Sequence, residues 1–290
     1  MADHKNEPPR HELAPRCSES ATAGEAGANV HTPCDRRRFF EIAGASIIRL
    51  GALAPVARAF AQAVAHAEPG ESRDGPRWAM VVDTKKCLQH DGCRLCLDAC
   101  HTSHNVPAIP EPRHEIKWIW KETAEHAFPS DVSEFTAATL KGRPVPVLCN
   151  HCENPPCVRV CPTQATWKRK DGVVMMDEHR CIGCRFCVVA CPYGSSSFNW
   201  VDPRPHIAKL NPEYPTRAKG VVEKCNLCEE RLARGKPPAC VEVCAEANIG
   251  AMIFGDLNDR QSEVSAILKA GYAIRRKPTL GTSPHVFYLV

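Results

Sequence analysis

Cysteine spacing constrains the fold of this chain more than any other feature of its sequence. Sixteen of the eighteen cysteines fall into four consecutive quartets between Cys87 and Cys244, and every quartet contains a Cys-x-x-Cys step. The quartets are Cys87, Cys93, Cys96 and Cys100; Cys149, Cys152, Cys157 and Cys161; Cys181, Cys184, Cys187 and Cys191; and Cys225, Cys228, Cys240 and Cys244. Any fold therefore has to bring these thiols together, as metal ligands or as cross-links.

The third quartet has an iron–sulfur spacing. Residues 181–192 read CIGCRFCVVACP, the C-x2-C-x2-C-x3-C-P run of bacterial ferredoxins without deviation. In such a run three closely spaced thiolates bind one cluster, and the fourth thiolate binds a different cluster. Four quartets therefore predict four [4Fe–4S] clusters in two interlocked pairs, an arrangement suited to electron transfer.

Disulfides and zinc are the two rival interpretations. A disulfide framework is compatible with an even number of cysteines in an exported protein, but a Cys-x-x-Cys step closes too small a loop to constrain the unfolded chain much. Zinc sites also use Cys-x-x-Cys pairs, with four ligands per metal. They need neither a third cysteine after two further residues nor the proline that follows Cys161 and Cys191. Iron–sulfur clusters are therefore expected, and a zinc-stabilised interaction protein is the remote alternative.

The other quartets depart from this spacing. The second has two additional residues before its third cysteine, and the fourth has eleven residues there. In the first quartet five residues separate Cys87 from Cys93. Cys87 is therefore the ligand that spacing supports least, and His90 or Asp91 can take its place. Four histidines near the quartets are predicted to be solvated or hydrogen-bonded loop residues rather than ligands: His90, His101, His104 and His151.

The N-terminal segment has the pattern of a twin-arginine export signal. Residues 35–41 read DRRRFFE and precede a weakly apolar stretch over residues 42–65. Arg49 and Arg58 interrupt that stretch, which argues against a stable membrane span. Twin-arginine export carries folded proteins, and the clusters have to be assembled in a reducing cytosol. The sequence therefore predicts a periplasmic location, or one at the extracytoplasmic face of a membrane.

Signal processing would divide the chain. Cleavage motifs of the Ala-x-Ala kind end at Ala59, Ala63 and Ala67, and cleavage after Ala67 is favoured. Residues 1–67 are then a long leader with its signal peptide, which includes Cys17 and Cys34 and gives them no role.

The mature chain is predicted to be α+β, with tandem or nested bacterial-type two-[4Fe–4S] ferredoxin modules and insertions. The predicted parts are a linker (68–77), a four-cluster domain (78–250) and a C-terminal extension (251–290). The four-cluster domain comprises an inner module (145–200), an outer module (78–104 with 220–250) and an insertion (105–144).

Short elements are predicted around the quartets. Residues 78–83 are expected to form a strand that leads to Cys87. Residues 166–170 and 173–177 flank Asp171 and Gly172, a pattern typical of a hairpin with a type I′ turn. Residues 188–190 are expected in a small helix.

The insertion and the C-terminus carry weaker patterns. In a strand over residues 115–122, Trp118 and Trp120 would share one face, either as a docking edge for a partner or, the favoured interpretation, as cover for a small core. A helix capped by Asp259 or Ser262 is expected to run to about Ala270 and to stop at Gly271. The last six residues, 285–290, are predicted to form a strand on the body of the protein rather than on a membrane subunit.

Composition excludes several function classes. The 37 Lys and Arg residues nearly balance the 33 Asp and Glu residues, which argues against a nucleic-acid partner. The sequence contains no P-loop, no Cys-x-x-Cys-His haem attachment site and no pattern that singles out catalytic residues. Electron transfer without a catalytic residue is therefore predicted.

Basic residues near the cysteines would tune the clusters, because positive charge favours the reduced state. Each is expected to be solvated, while their joint effect predicts four unequal potentials. They are Lys85, Lys86, Arg94, Arg159, Arg180, Arg185 and Lys224.

Over nearly all of residues 77–290 the chain resembles the four-cluster ferredoxin-like subunits of periplasmic redox complexes. The motifs at residues 114–120, 149–157, 220–225 and 254–259 look most like those of the DsrO-type iron–sulfur subunits of Dsr transmembrane complexes. The resemblance implies three kinds of partner: a membrane quinone-interacting subunit, a multihaem cytochrome c and further Dsr-type subunits linked to sulfite reduction or sulfur oxidation. The alternative is the iron–sulfur (beta) subunit of a molybdopterin oxidoreductase acting on tetrathionate, polysulfide or a nitrite-related substrate.

The same resemblance implies which cysteines share a cluster. The implied sets are Cys87, Cys93, Cys96 and Cys244; Cys100, Cys225, Cys228 and Cys240; Cys149, Cys152, Cys157 and Cys191; and Cys161, Cys181, Cys184 and Cys187.

Overall fold

The computed structural model describes residues 75–131 and 140–290. The predicted leader, its cleavage positions, Cys17, Cys34 and the linker before residue 75 lie outside the described residues. All described residues fall in one unit that mixes helices and strands, which is consistent with the predicted α+β class. None of the helices in these two ranges has the length and apolar character needed to cross a membrane.

The elements are short. The strands are β1 (Trp78–Asp83), β2 (Ile119–Thr123), β3 (Pro144–Leu148), β4 (Thr166–Lys168), β5 (Val174–Met176), β6 (Ser197–Phe198), β7 (Val222–Glu223), β8 (Met252–Asp256), β9 (Ala273–Ile274) and β10 (Val286–Leu289). The α-helices are α1 (Thr84–Leu88), α2 (Leu95–Ser103), α3 (Ala124–Ala127), α4 (Pro156–Arg159), α5 (Phe186–Ala190), α6 (Glu229–Leu232), α7 (Ala239–Glu246) and α8 (Glu263–Ala270). Within the described residues, 3₁₀ turns span Pro112–His114, Arg204–His206 and Pro278–Leu280.

The largest sheet has the strand order β8-β1-β10-β9, with β1 antiparallel to β8 and parallel to β10. The strand predicted over residues 78–83 is confirmed, and so is the packing of the last strand on the body of the protein. The Thr84 hydroxyl donates to the Leu289 carbonyl at 2.6 Å. The C-terminal strand thereby fixes the start of α1, the helix that carries Cys87.

The predicted hairpin is confirmed, but its predicted type I′ turn is wrong. Strands β4 and β5 pair antiparallel, and at the turn Gly172 has a φ of 88° whereas Asp171 stays outside the left-handed region. The Gly172 amide donates to the Arg169 carbonyl at 3.1 Å. A type I turn followed by a left-handed glycine results. The Asp171 carboxylate accepts from the Val173 amide at 3.2 Å, which holds the aspartate in this turn.

Trp118 and Trp120 are both buried, so the docking-edge interpretation is wrong and the core interpretation is confirmed. The Trp118 indole donates to the buried Glu223 carboxylate at 2.8 Å and stacks on His104 with ring centroids 4.8 Å apart. Glu223 also forms a buried ion pair with Arg217 at 2.6 Å. This network holds β7 in place, directly before the fourth cysteine quartet.

Two pairs of packed helices carry six of the other cysteines. Helix α2 packs against α7, and α4 packs against α5. The first pair carries Cys96, Cys100, Cys240 and Cys244, and the second carries Cys157 and Cys187. The predicted small helix at residues 188–190 is confirmed as part of α5. The helix predicted near the C-terminus is confirmed as α8, which Ser262 rather than Asp259 caps and which ends at Gly271.

Candidate metal centres

Sixteen cysteines converge in four groups, each of which combines three members of one quartet with one member of another. We call them the first to the fourth site. They are Cys87, Cys93, Cys96 and Cys244 (first); Cys100, Cys225, Cys228 and Cys240 (second); Cys149, Cys152, Cys157 and Cys191 (third); and Cys161, Cys181, Cys184 and Cys187 (fourth). The groups coincide with the sets that the resemblance implies, and ligation itself stays a prediction.

Cavities separate the cysteines at two of the sites. The cysteines of the first site line one cavity, and those of the third site line another. Cys87 converges with the rest of its group despite its irregular spacing, and His90 lines the same cavity. The Asp91 carboxylate lies 3.6 Å from the Arg143 guanidinium.

At each site burial raises the pKa of at least one thiol, and the neighbouring thiolates raise it further. At the first site the pKa of Cys96 rises to about 12 by burial and by the charges of Cys87, Cys93 and Cys244. Burial and the charges of Cys225, Cys228 and Cys240 raise the pKa of Cys100 well above its ordinary value at the second site. Burial and mutual repulsion therefore disfavour four bare thiolates at one site, and a bound cation would favour them.

Iron–sulfur ligation fits this chemistry. At the third site the pKa of Cys152 rises to about 12, by burial first and then by Cys149, Cys157 and Cys191. At the fourth site the pKa of Cys187 rises to about 11 for the same two reasons. Binding a cationic centre requires the thiolate form, so it would release protons at every site. Four soft sulfur donors per site suit an iron–sulfur cluster or zinc.

Cys161 differs from the buried thiols. Burial acts to raise its pKa, but hydrogen bonds from Thr163, Ala165 and Thr166 outweigh it and lower the pKa. The loop that follows Cys161 therefore favours its thiolate form.

Backbone amides point at cysteine sulfurs at all four sites. The Leu227 amide donates to Cys225 at 3.3 Å and the Ala251 amide to Cys244 at 3.3 Å. Hydrogen bonds to sulfur are one of the means by which proteins set cluster potentials. Three further amide donors, each 3.4 Å from its sulfur, are Ser195 to Cys191, Val222 to Cys181 and Ala239 to Cys228.

Left-handed residues turn the chain around the sulfurs. Gly183, between Cys181 and Cys184, has a φ of 69°, and a Cβ there would lie 2.5 Å from the Gly220 carbonyl oxygen. Only glycine fits this position. Leu227 occupies the left-handed region between Cys225 and Cys228, so neighbouring thiols can face the same point.

The sites form a row. Cys96 of the first site acts electrostatically on Cys100 and Cys240 of the second. Cys149 of the third site acts on Cys225 of the second. The charge of Cys187 of the fourth site raises the pKa of Cys157 of the third. The order along the row is therefore first, second, third, fourth.

Exposure differs along this row. All four cysteines of the second site are buried, as are three of the four at the third. In contrast, Cys87 and Cys93 of the first site are partly exposed, and so are three cysteines of the fourth. The two end sites are thus partly open to solvent, whereas the middle of the row is shielded from it.

Six of the seven basic residues near the cysteines are exposed as predicted, and Lys224 is not. Lys224 is buried, and its ammonium donates to the carbonyls of Val174 and Cys225. Sequence analysis missed Lys121, which lines the first cavity and opposes the effect of burial on the pKa of Cys87. No sequence signal identifies Lys121, because it lies far from every quartet in sequence.

His90 is exposed and the other three histidines form hydrogen bonds, as predicted, although His104 and His151 are buried. His151 accepts from the Val174 amide at 3.0 Å, and His104 bridges the Cys100 carbonyl and the Glu230 carboxylate. His101 contacts the Ile119 carbonyl at 3.2 Å. Burial lowers the pKa of His151 well below its ordinary value, with the Lys224 charge as the next cause.

Comparisons with known proteins agree with this chemistry. A family model described as a 4Fe-4S dicluster domain matches residues 141–206. The chain is 40% identical over 271 residues to the Hdr-like menaquinol oxidoreductase iron-sulfur subunit 1 of Archaeoglobus fulgidus, covering 87% of this chain and 97% of the relative.

Two bacterial reductase subunits are also similar. A tetrathionate reductase subunit of Salmonella typhimurium is 35% identical, with 90% of each protein covered. A polysulfide reductase subunit of Wolinella succinogenes is 34% identical, with 73% of this chain and 93% of the relative covered.

Proposed function

Since this chain is a member of the family of iron–sulfur subunits of membrane-associated quinone oxidoreductase complexes, we propose that it relays electrons across its four cysteine sites. In this proposal each site holds one [4Fe–4S] cluster, and one end of the row faces a quinone-reactive membrane subunit while the other faces a second redox subunit. The protein itself makes and breaks no bond in a substrate.

The observation that carries the proposal is the row of sites with accessible ends and a buried middle. Ile182 and Phe186, which lie between cysteines of the fourth site, are 67% and 58% exposed. A redox partner can therefore approach that site closely. Cys87 and Cys93 give similar access at the other end. A row of this kind suits transfer between two partners rather than chemistry at one internal pocket.

The residues would act by holding the clusters and setting their potentials. When bound, [4Fe–4S] clusters supply one-electron transfer over a wide range of potentials. The sixteen thiols would provide the ligands, the amide donors would stabilise the added negative charge, and the buried core around the second and third sites would exclude water. Charge, hydrogen bonds to sulfur and solvent exposure are the factors that distinguish such sites.

The second redox subunit is proposed to be a molybdoenzyme. The tetrathionate and polysulfide reductase subunits among the relatives support this assignment better than a Dsr-type role. A Dsr-type complex with a multihaem cytochrome c is the competing assignment, and it is supported by the motifs at residues 114–120 and 254–259. The menaquinol oxidoreductase subunit among the relatives supports a quinone-reactive partner under either assignment.

Export by the twin-arginine route is part of the proposal. Its support is the DRRRFFE run at residues 35–41, together with the need to fold around clusters before export. The mature protein would then work at the extracytoplasmic face of the membrane.

The test is the metal content of the anaerobically purified protein and the identity of its co-purifying subunits. About sixteen irons and sixteen acid-labile sulfides per protein molecule are expected from four clusters, with several reduction steps in an EPR titration. Zinc without labile sulfide would overturn the electron-transfer function. A co-purifying molybdopterin subunit would support the favoured complex, and a multihaem cytochrome c without molybdenum would support the Dsr-type complex instead.

A further inference from the structure

Lys224 is a buried cation in the middle of the row of sites. Lys224 is only 3% exposed. Its ammonium donates hydrogen bonds to two backbone carbonyls, those of Val174 and, at 2.9 Å, Cys225. Glu223, the adjacent carboxylate, is held by Arg217. Within the described ranges Lys224 has no carboxylate partner. Burying an ammonium without an opposite charge is costly, so a negative charge nearby would stabilise Lys224.

The nearest candidates for that counter-charge are cysteine sulfurs. Lys224 lines the third-site cavity together with all four cysteines of that site. Two of its three donor hydrogens are used by carbonyls, and the charge of the ammonium is the first cause that opposes the effect of burial on the pKa of the Cys149 thiol. Its charge also acts on Cys157. The third site therefore faces this cation directly.

Lys224 acts on the second site as well. It immediately precedes Cys225, and its charge opposes the effect of burial on the pKa of that thiol. The charge of Cys149 of the third site raises the pKa of the same Cys225 thiol, so the two sites are adjacent here. The Val174 carbonyl ties the ammonium to the β4–β5 hairpin at the same point. One buried charge is thus shared by two adjacent sites.

We infer that Lys224 is the shared counter-charge of the second and third sites and that it raises the reduction potential of both above the value their burial would give. Burial disfavours the added negative charge of a reduced cluster. An adjacent ammonium in a low-dielectric interior offsets this cost, because charges interact more strongly there than in water. Without Lys224 the two shielded sites would be a barrier to electrons passing between the exposed ends. The inference rests on the proposed function, which supplies the clusters.

Lys86 provides a matched control. It immediately precedes Cys87 just as Lys224 precedes Cys225, but its side chain is 54% exposed. Solvent screens a charge at such a position. The two lysines have equivalent positions in the sequence. Their different burial predicts that the charge of Lys224 alters cluster potentials more than the charge of Lys86 does.

The experiment is an EPR-monitored redox titration of the holoprotein and three variants, with iron and sulfide counted in each sample. Lys224→Gln removes the charge but retains amide hydrogens for the two carbonyls, Lys224→Arg retains the charge, and Lys86→Gln is the control. K224Q is expected to lower two of the four reduction potentials by at least about 59 mV, which corresponds to a tenfold change in the equilibrium constant of a one-electron couple. K224R and K86Q should leave each potential within that limit.

Each outcome has a defined meaning. Full iron content with four unchanged potentials in K224Q would overturn the inference while leaving the electron-transfer function intact. Loss of clusters in K224Q but not in K224R would support it, because only the variant that retains the positive charge would then retain the clusters at the second and third sites. Loss of clusters in both would assign Lys224 a purely structural role and overturn it. Absence of iron from the wild-type protein would instead overturn the proposed function.

Discussion

His285 is a buried imidazole beside a permanent positive charge. The Arg77 guanidinium lies 3.1 Å from its Nε2 atom. Burial, followed by the charge of Arg77, lowers the pKa of His285 from 6.5 to about 4, against the opposing charge of the Glu153 carboxylate 3.2 Å from the same nitrogen. The unfolded protein therefore binds a proton between about pH 6.5 and 4 that the folded protein does not bind. Stability is lost as the pH falls through this window and is fully present above it.

The variant His285→Gln tests this directly, because glutamine can accept from Arg77 and has no proton to gain. Wild-type stability is expected to fall by up to about 3 kcal/mol more than that of H285Q between pH 6.5 and 4. Thermal unfolding followed by circular dichroism across this range measures the difference. His126→Gln, at an exposed position, is the control and should follow the wild-type profile. Parallel profiles for H285Q and wild type would contradict the assignment.

At the scale of elements, Trp118 connects the insertion to the fourth quartet. Trp118→Ala removes a buried indole, a change that typically costs about 3–5 kcal/mol, and deprives Glu223 of one hydrogen-bond donor. A fall in Tm of roughly 10 °C is expected. Bleaching of the visible cluster absorbance should occur at a correspondingly lower temperature, because Glu223 lies on the strand that leads into the second site.

Trp167→Ala is the matched control, since Trp167 lies on β4 and is 37% exposed. A small loss in Tm and unchanged iron content are expected for W167A. If W118A and W167A lowered Tm equally, Trp118 would not have the core role assigned to it.

Elements with local signals could be predicted from the sequence, and long-range pairings could not. The Asp171–Gly172 pair predicted the β4–β5 hairpin, and Ser262 with Gly271 bounded α8. The turn type was wrong because the Asp171 carboxylate accepts from the Val173 amide and favours a type I geometry. The parallel pairing of β1 with β10 has no local signal, because its strands lie at opposite ends of the described residues.

The same limit applies to the candidate sites. Spacing identified the sixteen cysteines, and the resemblance implied how they group. Neither gave the order of the sites, because that order depends on proximity between sulfurs far apart in sequence, such as Cys149 and Cys225. The burial of Lys224 was also beyond prediction, since its neighbour Val174 comes from a distant hairpin.

At the scale of the whole molecule, the row of sites predicts which clusters influence one another. The first and fourth sites are separated by two others, so removing one should not alter the potential of the other. Energetic effects add for distant positions and fail to add for neighbours. The order of the sites can therefore be tested by asking whether the effects of two variants at different sites add.

Cys93→Ala removes a ligand of the first site and Cys184→Ala removes one of the fourth. Each is expected to lower the iron content from about sixteen to about twelve per protein molecule. For each reduced variant the EPR spectrum is subtracted from that of the reduced wild-type protein. The two differences obtained for the single variants should sum to the difference obtained for the double variant. Cys152→Ala, at the third site, combined with C184A should deviate from additivity, because Cys187 acts on Cys157 across that junction. Additive spectra for C152A with C184A, or non-additive spectra for C93A with C184A, would contradict the order first, second, third, fourth.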